Sequence, residues 1–191
     1  MNNILAAFGA GIALGIPKGK IAEALHEAKP VRGRFEPVVS SAGWTAIIDY
    51  AHTPDALEKA LQAVHDVFAS GERGRIITVF GCGGNRDSSK RPKMAAVAAR
   101  MSDLTIVTSD NPRREDPEEI IRQVLAGAPA GTTVESITDR REAIRRALGL
   151  ARPNDVVLIA GKGHEDYQVV GDEKIHFSDK EIVQEYLGVR A

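Results

Sequence analysis

A doubly wound, mostly parallel α/β sheet is the fold this chain predicts, and three observations predict it. Five short apolar runs, at 44–49, 76–80, 104–108, 134–137 and 156–160, alternate with helical patterns near 54–70, 88–101, 117–126 and 139–150. That alternation is the βαβ arithmetic of strands joined by crossover helices. The runs carry Ile and Val at consecutive positions, as in Ile106-Val107 and Val156-Val157-Leu158-Ile159, so the strands are buried on both faces. The stretches that leave the runs are polar and rich in glycine, at the carboxyl ends where open α/β sheets hold their ligands.

Ahead of the sheet, residues 1–28 read as two short helices joined at Gly15-Ile16-Pro17-Lys18-Gly19, the second with Ile21, Ala22, Leu25 and Ala28 on one face. Apolar residues at 4, 5, 8 and 12 give helical spacing from nearly the first residue, with Asn2 or Asn3 as the available cap. The chain is therefore expected to be cut from something longer. Lys29-Pro30-Val31-Arg32-Gly33-Arg34 combines Pro, Gly and three cations without periodicity and reads as a hinge, dividing a helical segment 1–30 from a main domain 31–191. Thr53 is placed to cap the first crossover helix with Pro54 at its first position. Near the C-terminus, 167–170 and 174–177 around Gly171-Asp172 predict a β-hairpin, and Ser178 with Glu181 predicts a capping box opening a last helix.

A formal net charge of -1 excludes bulk attraction to nucleic acid or to an anionic membrane, so any phosphate or carboxylate must be held locally. One cysteine, Cys82, excludes an internal disulfide framework and points to a reducing, cytoplasmic compartment. No stretch approaches the roughly 18 apolar residues of a membrane span, and the start has no basic region and apolar core of a signal peptide.

Four strand ends carry the candidate chemistry. The segment 80–92 places three glycines before a helix and supplies Arg86, Lys90 and Arg91, a strand-end anion site or, read blandly, a mobile connection with solvated charges. Asp110-Asn111-Pro112-Arg113 has the form of an Asx-turn before a helix, which explains Asp, Asn and Pro and leaves Arg113 and Arg114 unexplained. Gly161-Lys162-Gly163-His164-Glu165 opens a turn that can bring Glu165 to the same edge, with His164 read as a turn residue. Two arginines and one glutamate converging there suit an amino acid, its carboxylate on Arg and its ammonium on Glu. Asp49-Tyr50-Ala51-His52 leaves the first main strand, where a carboxylate can bind ribose hydroxyls or serve the turn alone. Cys82 reads as a small filler beside glycines. There is no G-x-x-x-x-G-K-S/T phosphate loop and no Cys/His metal-ligand spacing, so this chain is not expected to complete ATP chemistry by itself.

Asn3-Ile4-Leu5-Ala6-Ala7, Gly33-Arg34-Phe35-Glu36, Asp49-Tyr50-Ala51-His52-Thr53-Pro54-Asp55, the glycine-rich 80–92 segment, Asp110-Asn111-Pro112-Arg113 and Gly161-Lys162-Gly163-His164-Glu165-Asp166-Tyr167 occur here in the order found in Mur ligases. The resemblance runs nearly end to end and is strongest to the members that add meso-diaminopimelate. It implies that residues 1–30 are the tail of a central ATP-binding domain and 31–191 the C-terminal amino-acid-binding domain. It implies an ATP- and Mg2+-dependent ligase joining meso-diaminopimelate to UDP-MurNAc-L-Ala-D-Glu in peptidoglycan synthesis, through an acyl phosphate attacked by the incoming amine. It assigns Arg86, Asn111, Pro112, Arg113, Gly161 and Glu165 to meso-diaminopimelate and Asn3, Arg34, Asp49 and His52 to the nucleotide, with no metal ligand and no catalytic residue in this chain. A cytoplasmic monomer acting on small molecules is implied, with neither nucleic acid nor membrane as partner. Lysine-adding or folylpolyglutamate-type relatives, or a stand-alone binding module of the same fold, are the alternatives. One departure is Asn85, where many relatives carry Asp.

Overall fold

The computed structural model describes residues 2–28, 31–69, 71 and 74–188, with only the backbone described at 2 and 3. Lys29 and Pro30 of the expected hinge, and Ser70 of the first crossover helix, lie outside the described residues. The chain divides into two compact units, Met1–Val31 and Arg32–Ala191.

In the first unit, α1 (Asn2–Ala13) and α2 (Lys18–Glu27) meet where Ile21 lies against Gly11, and Ile21 is buried there. In the second, six strands form one sheet in the order β1-β2-β6-β3-β4-β5. These are β1 (Glu36–Val39), β2 (Thr45–Asp49), β3 (Ile76–Cys82), β4 (Leu104–Ser109), β5 (Val134–Ser136) and β6 (Val156–Ala160). All neighbours pair in parallel except β1, which runs antiparallel to β2 at the edge. Sequence reading missed β1 because Glu36-Pro37-Val38-Val39 has neither a full alternation nor a buried run. Its pattern is half-buried and exposed in turn, and a proline is tolerated on an edge strand, where its missing N–H costs no ladder bond.

The helices cover both faces, and period-2 alternation along each strand feeds both cores. Ile76 and Phe80 of β3 pack with Leu57 and Leu61 of α3 (Pro54–Phe68), Met94 of α4 (Lys90–Met101) and Ile120 and Val124 of α5 (Pro117–Leu125). Ile77 and Val79 point the other way, onto Ile144 and Leu148 of α6 (Arg140–Leu150) and Ile182 and Val183 of α7 (Asp179–Tyr186). The expected doubly wound, mostly parallel sheet is the architecture observed. The expected hairpin forms from β7 (Tyr167–Val170) and β8 (Glu173–His176).

Capping follows the sequence at α3, where Thr53 Oγ1 accepts from Ala56 N at 3.2 Å with Pro54 behind it. At α7 half of the capping box forms: Ser178 accepts from Glu181 N, while the Glu181 carboxylate turns away to His176 Nε2 at 2.6 Å. An imidazole in reach gives that carboxylate a stronger partner than a backbone amide. Among the described residues no helix is long and apolar enough to cross a membrane.

Beneath the sheet's carboxyl ends, Arg140 and Asp179 form a doubly hydrogen-bonded ion pair, Nε and Nη2 each 2.8 Å from the carboxylate, both side chains fully buried. The pair joins the first turns of α6 and α7. Removing one partner strands a charge in the core. Asp179→Ala is expected to cost ~3–5 kcal/mol in urea unfolding, whereas the paired replacement Arg140→Met with Asp179→Leu should cost clearly less.

Candidate functional site

Register builds the site. Asp49 and Phe80 both pair with Ala160, and Cys82 pairs with Ser109, so β2, β6, β3 and β4 end side by side. Their outgoing loops therefore share one rim. The helices after β2, β3 and β4 lie on one face and α7, the helix that follows β6, on the other, which makes the β6–β3 junction a topological switch point. A cavity of about 570 Å³ opens there, lined by Tyr50, His52 and Thr53 after β2, Gly83, Arg86, Asp87 and Lys90 after β3, Asp110, Asn111 and Arg113 after β4, Gly161 and Glu165 after β6, and Tyr167 of β7.

The loops touch backbone to backbone. A Cβ on Gly84 would fall 1.9 Å from the Pro112 carbonyl oxygen, and Gly84 N donates to Asn111 O at 2.9 Å. Asn85 follows with φ 51°, a left-handed conformation that Asn tolerates well, and its Oδ1 accepts from Arg114 N at 3.1 Å. That bond uses only the side-chain oxygen, which an aspartate carries as well. Arg86 is exposed and, among the described residues, makes no ion pair, so its guanidinium is available to a ligand.

Arg113 is also left-handed, at φ 53°, and its backbone is clamped by the hairpin: its N–H donates to Val169 O at 3.0 Å and its carbonyl accepts from Gly171 N at 2.7 Å. A non-glycine residue in that region persists when its surroundings over-determine it. Arg113 Nη1 donates to Gly84 O and Asn111 O at 2.9 and 3.3 Å, while Nε and Nη2 make no hydrogen bond among the described residues. Two parallel donors therefore remain for a carboxylate. Asn111 is buried, and its amide is engaged at both ends: Oδ1 accepts from Lys162 Nζ and Val169 N, and Nδ2 donates to Glu165 Oε2 at 3.2 Å. Pro112, assigned to the site from the sequence, is buried and does not line the cavity.

Glu165 is half-buried and also accepts from the Tyr50 hydroxyl at 3.4 Å. Burial, and then the nearby Glu165 charge, push the Tyr50 phenol above its ordinary pKa, so it stays a neutral donor. The Tyr50 ring meets the Arg34 guanidinium at 4.6 Å, the His52 ring edge-on at 4.8 Å and the His164 ring at 5.5 Å. Gly163 allows this crowding, since its φ is +54° and a Cβ there would sit 2.8 Å from the Tyr50 Cβ. Tyr50 thus joins two expected sets, Arg34 and His52 on one side and Glu165 on the other. Asp49 lies behind it, its carboxylate accepting from Phe35 N at 2.7 Å and Ala51 N at 2.8 Å, which serves the turn. The side chain of Asn3 lies outside the described residues.

Two of the expected cations belong elsewhere. Arg91 is 1% exposed and pairs with Glu115 at 2.8 Å, donating also to Gln123 and Gly83 O; it braces the loop from below. Arg114 points outward to Asp172 of the hairpin turn. Cys82 is buried with its sulfur 3.7 Å from Met94 Sδ, and burial pushes its thiol up to about 11, against any nucleophilic role. Sequence reasoning missed Tyr50, Lys162 and Tyr167. Lys162, fully buried, carried one signal, a cation between two glycines at a strand end, and its burial has no local signature.

Residues 33–163 match the family model described as "Mur ligase, glutamate ligase domain". The chain belongs to the Mur ligase family. It is 52% identical over 186 residues to the UDP-N-acetylmuramoyl-L-alanyl-D-glutamate--2,6-diaminopimelate ligase of Bacteroides fragilis, covering 96% of this chain and 38% of that protein. It is 52% identical over 189 residues to the enzyme of the same name from Gloeobacter violaceus, covering 98% and 38%. A solved structure of such a ligase superposes with a TM-score of 0.75 at 35% identity, over 97% of this chain and 37% of that one. The chain thus spans somewhat over a third of the curated Mur ligases it matches. FolC of Escherichia coli, solved with ADP, shares the fold, with a TM-score of 0.58 at 23% identity over 78% of this chain and 33% of its own.

The close approach at Gly84 gives a direct check. Gly84→Ala must push the loops after β3 and β4 apart, with an expected loss of ~1–3 kcal/mol in urea unfolding and an unchanged far-ultraviolet circular dichroism spectrum.

Proposed function

We propose that this chain is the amino-acid-binding part of a ligase that adds meso-diaminopimelate to UDP-MurNAc-L-Ala-D-Glu, a cytoplasmic step of peptidoglycan synthesis. The observation that carries the reading is the convergence of Arg86, Arg113, Asn111 and Glu165 on one cavity, from three strand ends. Arg113 presents Nε and Nη2 to the carboxylate that lysine lacks, and Arg86 adds an exposed cation at the same opening. Glu165 supplies the acid for an ammonium. Its nearest cation, Lys162, stands 3.9 Å away with closer acceptors of its own, so the Glu165 charge is left for a ligand to neutralise. A diamino diacid matches that layout, whereas lysine lacks the second carboxylate.

Holding the amine in register against an activated carboxyl group is the proximity contribution to catalysis. Arg34, His52 and Asp49, gathered around Tyr50, are the nucleotide-facing set in this reading, with Asp49 acting through the turn it builds. Asn3 is assigned there by resemblance. Mg2+ is assigned to the full-length ligase, and this reading places no ligand for it in this chain. The phosphate loop is absent from the sequence, which supports inactivity of the chain alone. Residues 1–30 are read as the tail of the ATP-binding domain, a reading supported by exposed Ile4, Leu5 and Leu14. A monomer is expected.

Titration calorimetry with meso-diaminopimelate and with L-lysine tests the assignment. The diamino diacid should bind the tighter, and Arg113→Ala should weaken it about 10- to 100-fold, the worth of a charge-assisted pair of bonds, while leaving lysine nearly unaffected. Equal affinity for the two amino acids removes the diaminopimelate assignment.

A further inference from the structure

Lys162 is a wholly buried ammonium directly under the cavity, between Gly161 and Gly163. Its ammonium donates to Tyr167 O at 2.8 Å and Asn111 Oδ1 at 3.0 Å, and it stands in an ion pair with Asp110 Oδ1 at 3.1 Å. These acceptors come from the hairpin and from the loop after β4, so one side chain of the β6 loop ties three parts of the site together. An ammonium donates and cannot accept. Asn111 must therefore turn its oxygen toward Lys162, and Val169 N, donating to the same oxygen at 3.0 Å, demands the same orientation. The Nδ2 group is left facing Glu165 Oε2 at 3.2 Å, with one of its two hydrogens still to donate beside the cavity.

We propose that Lys162 is a positioning residue that sets the hydrogen-bonding polarity of the cavity floor, locking Asn111 as a donor so that a ligand carboxylate meets N–H groups and a ligand ammonium meets Glu165. The inference rests on the amino-acid reading of the cavity and adds to it a residue that touches no ligand. Asp110 completes the device. It balances the buried ammonium, which leaves Glu165 as the acid the ligand neutralises. Without Lys162 the Val169 N–H alone is left to hold the Asn111 oxygen; an amide that flips past that one bond turns its oxygen to Glu165, two acceptors meet, and the floor loses the donor that a carboxylate needs.

The test replaces the ammonium and its counter-ion together, Lys162→Met with Asp110→Asn, so that no charge is left buried alone. In 1H–15N spectra the Nδ2 hydrogens of Asn111, identified by their loss in Asn111→Ala, should give a slowly exchanging pair in the unaltered chain. That pair should shift and exchange faster in the double variant and return in Lys162→Arg, another donor-only cation. An unchanged Asn111 pair overturns the proposal. Calorimetry with meso-diaminopimelate closes a cycle: the double variant and Asn111→Ala should each bind about tenfold more weakly, and their combination no more weakly than either, because Lys162 acts through Asn111. Losses that add overturn it as well. If the Asn111 pair moves but the unaltered chain takes up no meso-diaminopimelate, the amino-acid reading has failed and the hold of Lys162 on Asn111 stands. Should the double variant unfold, Lys162→Gln with Asp110→Asn, whose amide can accept as well as donate and so no longer forces the Asn111 orientation, carries the same measurements.

Discussion

Parallel register is the constraint on which the rest of the structure depends. Ala160 sits between Asp49 on one side and Phe80 on the other, and β3 and β4 run on side by side to Cys82 and Ser109, so four strands end along the same edge of the sheet. Chemistry-bearing residues far apart in the chain then emerge together without any side-chain interaction having to gather them. A slip of one residue in any of these strands would exchange the two core faces, since Ile77 and Val79 feed one core while Ile76 and Phe80 feed the other. The apolar packing that holds the register is thus what holds the site.

Beneath the rim lies a layer of buried charge. Arg140–Asp179 joins α6 to α7, and Arg140 also donates to the carbonyl of Ala160, the last residue of β6. Lys162, two residues beyond β6, and Asp110, one residue beyond β4, form the second pair. Buried ion pairs are poor sources of net stability, since desolvation offsets attraction. Their service here is directional. Each is paired in one arrangement of the loops, so a displaced loop leaves a charge unpaired in the core.

The hairpin plays a comparable part from above. It bonds to both sides of Arg113, accepts the Lys162 ammonium at Tyr167 O and lends Tyr167 to the cavity wall. The two arginines of Asp110-Asn111-Pro112-Arg113-Arg114 consequently part company. Arg113, twisted into the left-handed region, turns to the cavity, and Arg114 pairs with Asp172 at the hairpin turn. Adjacent residues with the same side chain face the cavity and the scaffold respectively.

By itself the sequence determined the layers, the strand ends that carry chemistry and the family. These are written in local terms: consecutive Ile and Val for doubly buried strands, Thr53-Pro54 for a helix start, glycines where backbones touch, and six motifs in order. What tertiary structure alone decided is which charges face the cavity. Arg86 and Arg91 are five residues apart in one segment, yet one is exposed at the cavity and the other sealed against Glu115. Lys162 looks like a solvated loop cation until the hairpin closes over it, and Tyr50 acquires its partners from residues 34, 52, 164 and 165. The physical reason is that composition and spacing report a residue's own preference for water or oil, whereas the use of a charge depends on which opposite charges and carbonyls the fold brings within about 3 Å of it.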